Sequence, residues 1–356
     1  MTAPVLDVRR LQKFFDIRRG FQRRVIGTVR AVDDVSFTIR EGETLGLVGE
    51  SGCGKTTTAR CILRAMSPSS GEILFRTADG PIVDLAPLSR AALRPLRPQI
   101  QMIFQDPFSS LNPRMTIFDN VGEPLLVNGL RERRARLERV AALLELTGLR
   151  PEYMHRFPHA FSGGQRQRIG IARALATEPR LVVADEPVSA LDVSVRAQVL
   201  NLLLELRQRL GLTMLFVAHD LSVVKHICDR VAVMYVGQLV ELAPTAALFA
   251  RPRHPYTAAL IRAVPIPDPR APSGDVALAG EVANPADPPA GCYFHPRCPF
   301  VVDRCRTEAP VLREVDGHLI RCHRTEELSL AGTPGHEARL PGPSTPPAST
   351  LHTPRG

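Results

Sequence analysis

The sequence predicts an α/β fold in which a wound, largely parallel sheet carries an inserted helical block. Two apolar runs, LVVAD (181–185) and TMLFVA (213–218), are typical of strands buried on both faces of a parallel sheet. Between them, AQVLNLLLELRQRL (197–210) has the pattern of a strong helix. Strands that alternate with helices in this way favour the α/β class.

The first hundred residues supply further elements of this fold. Residues 5–40 contain short alternating apolar runs, which suit half-buried antiparallel strands. TLGLVG (44–49) predicts a buried strand that enters a glycine-rich turn, and TTTARCILRAM (56–66) predicts the helix that follows it. QIQMIF (99–104) predicts another strand.

The segment 107–180 is predicted to be mostly helical and to form the insertion into the α/β core. RRARLERVAALLELTGL (133–149) is its clearest amphipathic stretch, and Gly148 stands where a C-terminal cap belongs. The basic run RERRARLER (131–139) is interpreted as the solvated face of that helix.

The texture of the sequence changes at about residue 264, where VPIPDPRAPSGD and then NPADPPAG are linker-like. Four cysteines follow, and after about residue 325 the chain is rich in Pro, Ser, Thr and Gly and poor in apolar residues. We therefore expect a main domain at 1–263, a linker and cysteine region at 264–325, and a disordered tail at 326–356.

Composition limits the classes of function. The net charge is +9 with pI ≈ 9.6, but 42 of the 45 basic residues are scattered Arg, so charge alone does not indicate a nucleic-acid binder. No run approaches the ~18 apolar residues of a membrane span. The N-terminus MTAPVLDVRR lacks the apolar core of a secretory signal. We expect a cytosolic protein, or one that reaches a membrane only by holding a partner.

The segment GESGCGKT (49–56) matches G-x4-G-K-[ST] and lies between a predicted strand and a predicted helix, the context that supports the motif. Glycines let backbone N–H groups close around phosphate oxygens, and the helix N-terminus adds a favourable dipole. The Lys55 ammonium would reach the outer phosphates, and the Thr56 hydroxyl would ligate Mg²⁺. The predicted nucleotide-binding residues here are Gly49, Glu50, Ser51, Gly52, Cys53, Gly54, Lys55, Thr56 and Thr57.

A second part of the predicted site is LVVADE (181–186), an apolar strand that ends in two carboxylates. Asp185, at the strand tip, is placed to hold Mg²⁺ directly or through water. Glu186 is then the natural general base for a water that attacks the terminal phosphate. The sequence therefore predicts nucleotide hydrolysis rather than phosphoryl transfer to a bound acceptor.

Four further motifs narrow the class of nucleotidase. FSGGQRQRIGIARAL (161–175) resembles the signature of ATP-binding-cassette (ABC) ATPases, usually LSGGQ, with Phe161 in place of Leu. Gln105 in FQDP resembles the Q-loop glutamine, Asp192 in SALD the D-loop aspartate, and His219 in FVAHD the switch histidine. The elements stand in family order, and the resemblance covers roughly 5–245.

This resemblance implies a RecA-like parallel core, an antiparallel β subdomain and an inserted helical subdomain. It also implies a head-to-tail pair of cassettes with two ATP molecules, each with Mg²⁺, between them. In such a pair Gln105 would sense Mg²⁺ and the water, and His219 would hold the γ-phosphate and the base in register. Phe15, or else Phe14, would stack on adenine. Residues expected at the ATP held by the partner are Ser162, Gly163, Gly164, Gln165 and Asp192.

Among cassettes, the chain looks most like the ATPases of dipeptide and oligopeptide importers, over about 5–325. The resemblance rests on segments such as FQDPFSSLNPRMT (104–116), RPRHPYTAAL (251–260) and GEVANPADPPAGCYFHPRCP (280–299). It implies two membrane permeases, an extracytoplasmic substrate-binding protein and a second, related ATPase as a heterodimer partner. It places the chain peripherally on the cytoplasmic face of the inner membrane, with SSLNPRMT where a permease would dock.

The C-terminal cysteines Cys292, Cys298, Cys305 and Cys322 have the spacing C-x5-C-x6-C-x16-C. The gaps are wider than those of common zinc modules, and four thiolates could hold Zn²⁺ or an iron–sulfur cluster, or remain reduced thiols. In the importer branch that the chain resembles, this cysteine pattern is associated with a [4Fe-4S] cluster, which we favour over zinc. Its role would be structural.

Two alternative functions fit the sequence less well. A soluble cassette ATPase that acts on nucleic acid or ribosomes would carry two cassettes, a coiled coil or an insertion in the cassette, and the sequence contains none of these. A non-hydrolysing regulatory subunit would have lost Glu186, Asp192 or His219, and all three are present. We therefore expect an ATP-hydrolysing importer subunit, with no nucleic-acid partner.

Overall fold

The computed structural model describes residues 3–20, 24–106, 110–263 and 280–332. In that part of the chain the strands are β1 (Leu6–Arg19), β2 (Arg24–Ile39), β3 (Thr44–Val48), β4 (Ser70–Arg76), β5 (Ile82–Asp84), β6 (Ile100–Ile103), β7 (Leu181–Asp185), β8 (Thr213–Ala218), β9 (Arg230–Tyr235), β10 (Gln238–Pro244), β11 (Arg313–Val315) and β12 (His318–Ile320). The α-helices are α1 (Lys55–Ile62), α2 (Arg90–Leu93), α3 (Ile117–Val127), α4 (Arg133–Leu146), α5 (Gly163–Leu175), α6 (Val193–Leu210), α7 (Leu221–Ile227), α8 (Thr245–Ala250), α9 (Pro255–Arg262) and α10 (Asp303–Thr307). Short 3-10 helices lie at Arg97–Gln99, Pro151–His155, Pro158–Ala160 and His295–Arg297.

The larger of two sheets has eight strands in the order β11-β12-β10-β9-β3-β8-β7-β6. Strands β9, β3, β8, β7 and β6 run parallel to one another. The pairs β9–β10, β10–β12 and β11–β12 are antiparallel. Every residue of β3, β7 and β8 is buried. The prediction of an α/β fold with continuous apolar runs as buried parallel strands is therefore confirmed.

A smaller, antiparallel sheet of order β2-β1-β4-β5 packs beside the first. The long pair β1 and β2 is the antiparallel arrangement that the alternating runs of residues 5–40 predict. Strands β4 and β5 were not predicted, and β5 has only three residues, too few to show a periodic pattern.

Between β6 and β7 the chain forms α3, α4 and α5. Helix α4 ends as its sequence predicts, because Gly148 takes a left-handed φ of 72° just beyond it. The Gly148 amide donates to the Glu145 carbonyl and the Leu149 amide to the Leu144 carbonyl, the two bonds of a Schellman motif. Helix α5 follows in this segment. It begins within the FSGGQ motif, with Ser162 as its N-cap and Gly163 as its first residue.

The C-terminal region joins the main sheet rather than lying apart from it. Strand β12 pairs with β10, so the hairpin β11–β12 forms the edge of the eight-stranded sheet. Behind it the buried Glu241 carboxylate accepts from the backbone amides of Arg253 and His254 and lies 2.9 Å from His318 Nδ1. Three-residue strands carry no readable period, which is why the sequence did not reveal this pairing.

Two regions of the sequence analysis fall outside the described residues. They are most of the linker, at 264–279, and most of the tail, at 333–356. In the described part of the chain, no helix combines the length and apolar character that crossing a membrane requires.

Candidate functional site

The phosphate loop runs from the end of β3 to the start of α1, and two of its glycines allow no other residue. Gly49 has a φ of 152°, and a Cβ there would lie 2.2 Å from the Met234 carbonyl oxygen. Gly54 has a φ of 104°, and its Cβ would lie 2.1 Å from the Ala31 carbonyl oxygen. The loop backbone therefore packs directly against the backbone carbonyls of Met234 and Ala31, and only glycine fits at these two positions.

Lys55, the first residue of α1, is buried with 5% of its surface exposed. Its ammonium donates to the carbonyls of Gly49, at 2.8 Å, and Glu50, at 3.0 Å. No side chain in the described ranges caps this helix, whose N-cap residue is Gly54. The first N–H groups of α1 and the lysine thus face a common space, which is the arrangement that binds phosphate at a helix N-terminus.

Asp185 ends β7 opposite the start of α1, and the Thr56 hydroxyl donates to its Oδ1 at 3.1 Å. The carboxyl is 3% exposed, and this burial raises its pKa, partly opposed by the Thr56 hydrogen bond. A buried carboxylate beside a hydroxyl is the donor pair that a Mg²⁺ site of this type uses. The predicted juxtaposition of Thr56 and Asp185 is present.

Glu186 has a φ of 46°, and its amide donates to the Val217 carbonyl at 3.0 Å. A left-handed backbone is costly for a residue with a side chain, so the surrounding structure must hold Glu186 in it. Its Oε2 accepts from Gln105 Nε2 at 3.3 Å and lies 3.0 Å from His219 Nδ1. Glu186, the predicted general base, is thus held by Gln105 and His219, the two residues predicted to assist it.

These groups surround one open pocket of about 490 Å³. It takes residues from the phosphate loop, from the ends of β6 and β7, and from the segment after β8. Its lining residues are Ala31, Ser51, Gly52, Gly54, Lys55, Thr56, Thr57, Gln105, Glu186 and His219. The pocket can therefore hold a magnesium-bound polyphosphate with a carboxylate base beside it.

Three residues of the phosphate loop, Gly49, Glu50 and Cys53, are not among the lining residues of this pocket. The Cys53 side chain is 1% exposed, with burial raising the pKa of its thiol. The Glu50 carboxylate instead pairs with Arg297, and the Glu50 amide donates to the Tyr256 hydroxyl. The sequence analysis did not nominate Arg297, Tyr256 or Ala31 as site residues. Tyr256 and Arg297 lie in the importer-like segments 251–260 and 280–299, but nothing in those segments indicates a contact with the phosphate loop.

The signature residues are not brought to this pocket, among the residues that the structure describes. Ser162 caps α5: its hydroxyl accepts from the Gln165 amide, and the Gln165 side chain accepts from the Ser162 amide. Gly164 lies against α6, where a Cβ would come 2.3 Å from the Val195 side chain. Asp192 caps α6, and the hydrogen bond from the Val195 amide lowers its pKa.

Phe15, the predicted adenine platform, lies on β1 with 38% of its surface exposed. The Lys13 ammonium lies 5.0 Å from the centre of its ring. Phe15 does not line the described pocket, and its pairing partner across the sheet is Val29 on β2. Its stacking on adenine stays a prediction.

All four C-terminal cysteines line a second, small pocket, together with His254, His295 and His323. The Cys292 amide donates to the Cys305 carbonyl at 2.9 Å. Burial raises the pKa of Cys292 to about 12 and that of Cys322 to about 11, and it also raises that of Cys298. In the described residues, no group of three or more His, Cys, Asp or Glu side chains is arranged to hold a metal ion.

Comparison with known sequences is consistent with this geometry. Residues 32–189 match the family described as "ABC transporter", and residues 240–305 match "Oligopeptide/dipeptide transporter, C-terminal region". A probable peptide ABC transporter ATP-binding protein of Sinorhizobium fredii is 50% identical over 97% of this chain and 97% of its own length. An oligopeptide transport ATP-binding protein of Bacillus subtilis is 49% identical over 90% of this chain and 97% of its own length.

Comparison with solved structures gives the same architecture. A dimeric ATP-binding cassette in a post-hydrolysis state, bound to ADP and Pi, is 27% identical with a TM-score of 0.58, covering 67% of this chain and 98% of that one. A part of an ABC transporter complex from Clostridium perfringens is 28% identical with the same TM-score, covering 69% of this chain and 90% of that one.

Proposed function

The chain belongs to the ATP-binding subunits of peptide ABC transporters, and from this premise we propose that it hydrolyses ATP to power the import of di- and oligopeptides, or related small cargo, through a membrane transporter. The observation that carries the proposal is the single pocket that joins Lys55 and Thr56 to Gln105, Glu186 and His219. The match to an oligopeptide transporter C-terminal region supports the cargo class.

In the proposed mechanism, Thr56 and Asp185 would hold Mg²⁺, which would supply positive charge to the phosphate oxygens. Lys55 exchanges its loop carbonyls for the outer phosphates. Glu186 accepts the proton of the attacking water, while Gln105 and His219 keep its carboxylate aimed into the pocket. The contacts of Thr56 with Asp185 and of Glu186 with Gln105 and His219 are present in the structure, whereas Lys55 must release its loop carbonyls.

We further propose that two cassettes close head to tail around two ATP molecules. Ser162, Gly163, Gly164 and Gln165 would then contact the nucleotide held by the partner, with Asp192 beside them. Their absence from the described pocket of their own chain supports this role. The resemblance to importers with two different ATPases favours a heterodimer. ATP-driven closure would switch the permeases between outward- and inward-facing states, and hydrolysis would reset them.

The permeases would dock on a groove beside the Q-loop, with the chain lying peripherally on the cytoplasmic face of the membrane. The groove is lined by Met102, Phe104, Pro124 and Arg173, among others, and Phe104 is 46% exposed. An exposed aromatic side chain in an open groove suits the apolar face of a short permease helix. The groove adjoins Gln105, which would relay docking to the pocket.

The decisive experiment is a mild-detergent pull-down of the tagged chain from its native host, followed by mass spectrometry. The proposal predicts two permeases and a second cassette, and these should be lost from the Phe104→Glu variant. The matched control is Val311→Glu, since Val311 is 72% exposed on the C-terminal region. Recovery of ribosomal proteins or nucleic acid without permeases would instead favour the soluble-ATPase alternative.

For the cysteine pocket we propose a [4Fe-4S] cluster with a structural role. What supports the proposal is that four thiols line one small pocket in a region that is rich in Pro and poor in apolar residues. In the described residues the thiols are not arranged as a metal-binding group, so they would have to converge to ligate the cluster.

The cluster is tested by anaerobic purification, iron and zinc analysis, and absorbance near ~400 nm, where sulfur-to-iron charge transfer is expected. Cys298→Ser should lose the iron and the band. Cys61→Ser is the control, because Cys61 is buried in the core away from this pocket. If the protein is colourless and contains stoichiometric zinc, the site is a zinc site and the cluster proposal is wrong. If the protein contains neither metal, both the cluster and the zinc site are excluded.

A further inference from the structure

The C-terminal region reaches the phosphate loop through an ion pair between residues that are 247 positions apart. Arg297 Nη1 donates to Glu50 Oε2 at 2.7 Å, and Nη2 donates to Glu50 Oε1 at 3.1 Å. The arginine side chain is 5% exposed and the glutamate side chain 28%. Two parallel charge-assisted bonds fix the orientation as well as the charge of the carboxylate. The Glu50 hydrogen bonds raise the pKa of Arg297, so the guanidinium stays charged.

Arg297 is itself held by an aromatic cluster. Its guanidinium lies 5.8 Å from the centre of the Tyr235 ring. That ring makes edge contacts with Tyr256 and Phe294, at centroid distances of 4.8 and 5.3 Å. The Tyr256 hydroxyl in turn accepts from the Glu50 amide at 3.0 Å. The amide and the carboxylate of Glu50 are therefore both bound by residues outside the phosphate loop.

This matters for nucleotide because Glu50 is a negative charge within a loop that binds phosphates. Its backbone carbonyl accepts from the Lys55 ammonium at 3.0 Å, so the position of Glu50 also sets the position of the lysine. An unpaired carboxylate here would repel the phosphates of ATP, in a partly buried site where such repulsion is poorly screened. Arg297 neutralises that charge and turns it away from the pocket.

We propose that Arg297 is a positioning residue for ATP binding, and that the C-terminal region holds the phosphate loop in its binding conformation through Arg297 and Glu50. Arg297 acts through Glu50, and nothing places it against the nucleotide itself. The inference rests on the proposed ATP-binding function and adds that the cysteine-bearing region is part of the nucleotide site.

The test is titration of the full chain with the magnesium complex of a non-hydrolysable ATP analogue. Arg297→Gln should bind about tenfold more weakly, as expected when one partner of a buried charged pair is removed. In the assembled transporter its KM for ATP should rise while kcat stays within about twofold. The matched control is Arg313→Gln, which breaks a surface ion pair with Glu326 in the same region and should bind normally.

A double variant separates positioning from simple damage. In Glu50→Gln/Arg297→Gln the unpaired carboxylate is gone, so the part of the loss that comes from repulsion should disappear, and affinity should exceed that of Arg297→Gln alone, a non-additive result. If Arg297→Gln binds normally, or if the second substitution relieves none of its loss, the proposal is wrong. If Arg297→Gln does not fold, Arg297→Met, which also removes the charge, takes its place, and unchanged affinity there overturns the proposal. If the unsubstituted chain fails to bind, the proposed function fails instead.

Discussion

The chain contains two helices that begin at glycine-rich turns and are expected to face ATP, and their N-termini differ. Helix α1 follows Gly54 with no side-chain cap from the described residues, and its first turn opens on the pocket that contains Glu186. Helix α5 follows Ser162 and is closed by a capping box with Gln165. The first N-terminus lacks a partner that phosphate would supply, while the second is satisfied within its own chain.

This difference indicates that a single chain forms the α1 half of the proposed ATP site, whereas the proposed α5 half requires a second cassette. Around α1 the polar groups are already positioned, because Thr56 is bonded to Asp185 and Glu186 is held by His219. Around α5 the Ser162 oxygen accepts from the Gln165 amide, which leaves its O–H able to donate to a phosphate oxygen. The helix cap can therefore stay in place while a partner's nucleotide binds, so α5 suits a contact made in the closed dimer.

The largest expected effect is on the α1 side, at Glu186. Glu186→Gln should lower ATP hydrolysis by about 10² to 10⁴-fold, the usual contribution of a positioned general base, and retain ATP binding. The loss follows because the amide cannot accept the proton of the water, although it fills the same space. The measurement is phosphate release by the assembled transporter, together with an ATP-binding titration.

The control for this variant is Glu205→Gln, on the exposed face of α6, where Glu205 pairs with Arg209. It should hydrolyse ATP normally. If Glu186→Gln hydrolyses ATP at an undiminished rate, Glu186 is not the general base, and the α1 side does not hold the catalytic carboxylate.

A smaller effect is expected from Lys55→Ala, which removes the cation at the start of α1. ATP should bind about ten- to a hundredfold more weakly, since a charged hydrogen-bond donor to the phosphates is lost. The chain has three lysines, and Lys225→Ala on α7 is the matched control. Equal affinities of the two variants for ATP, measured by titration, would contradict the assignment of the phosphate loop.

The sequence predicted the α1 site well because each of its residues stands in a motif next to a buried strand. Asp185 and Glu186 follow an apolar run that could only be an interior strand, so their place at the edge of the sheet could be predicted. The motif did not reveal that Glu50 turns away from the pocket toward Arg297. That contact joins positions 247 residues apart, and no local pattern encodes it.

The C-terminal region was less predictable for the same physical reason. Its strands β11 and β12 have three residues each, and β12 pairs with β10, where His318 meets the buried Glu241 across 77 positions of sequence. Cysteine spacing indicated a cluster, and the structure brings the four thiols to one pocket. Spacing alone could not tell which ligand they hold, because the same donors suit several metals.

The smallest effect is expected on the α5 side, from Ser162→Ala. Loss of the N-cap should lower the free energy of unfolding by about 1 kcal/mol. ATP binding by the isolated chain should be unchanged, because Ser162 does not line the described pocket of its own chain. Hydrolysis by the assembled transporter should nevertheless fall, since the hydroxyl would be missing from the partner's site. Thermal unfolding, an ATP titration and phosphate release measure the three quantities.

Ser89→Ala separates these two roles, because Ser89 caps α2 by the same bond, from the Ala92 amide at 3.3 Å. It should lose comparable stability and keep full hydrolysis. If both serine variants lose hydrolysis equally, the effect at Ser162 is only that of a weakened helix. If Ser162→Ala weakens ATP binding by the isolated chain, α5 contacts its own nucleotide, and the contrast between the two helix N-termini disappears. Full stability with lost hydrolysis would show that the contact with the partner's nucleotide outweighs the capping bond.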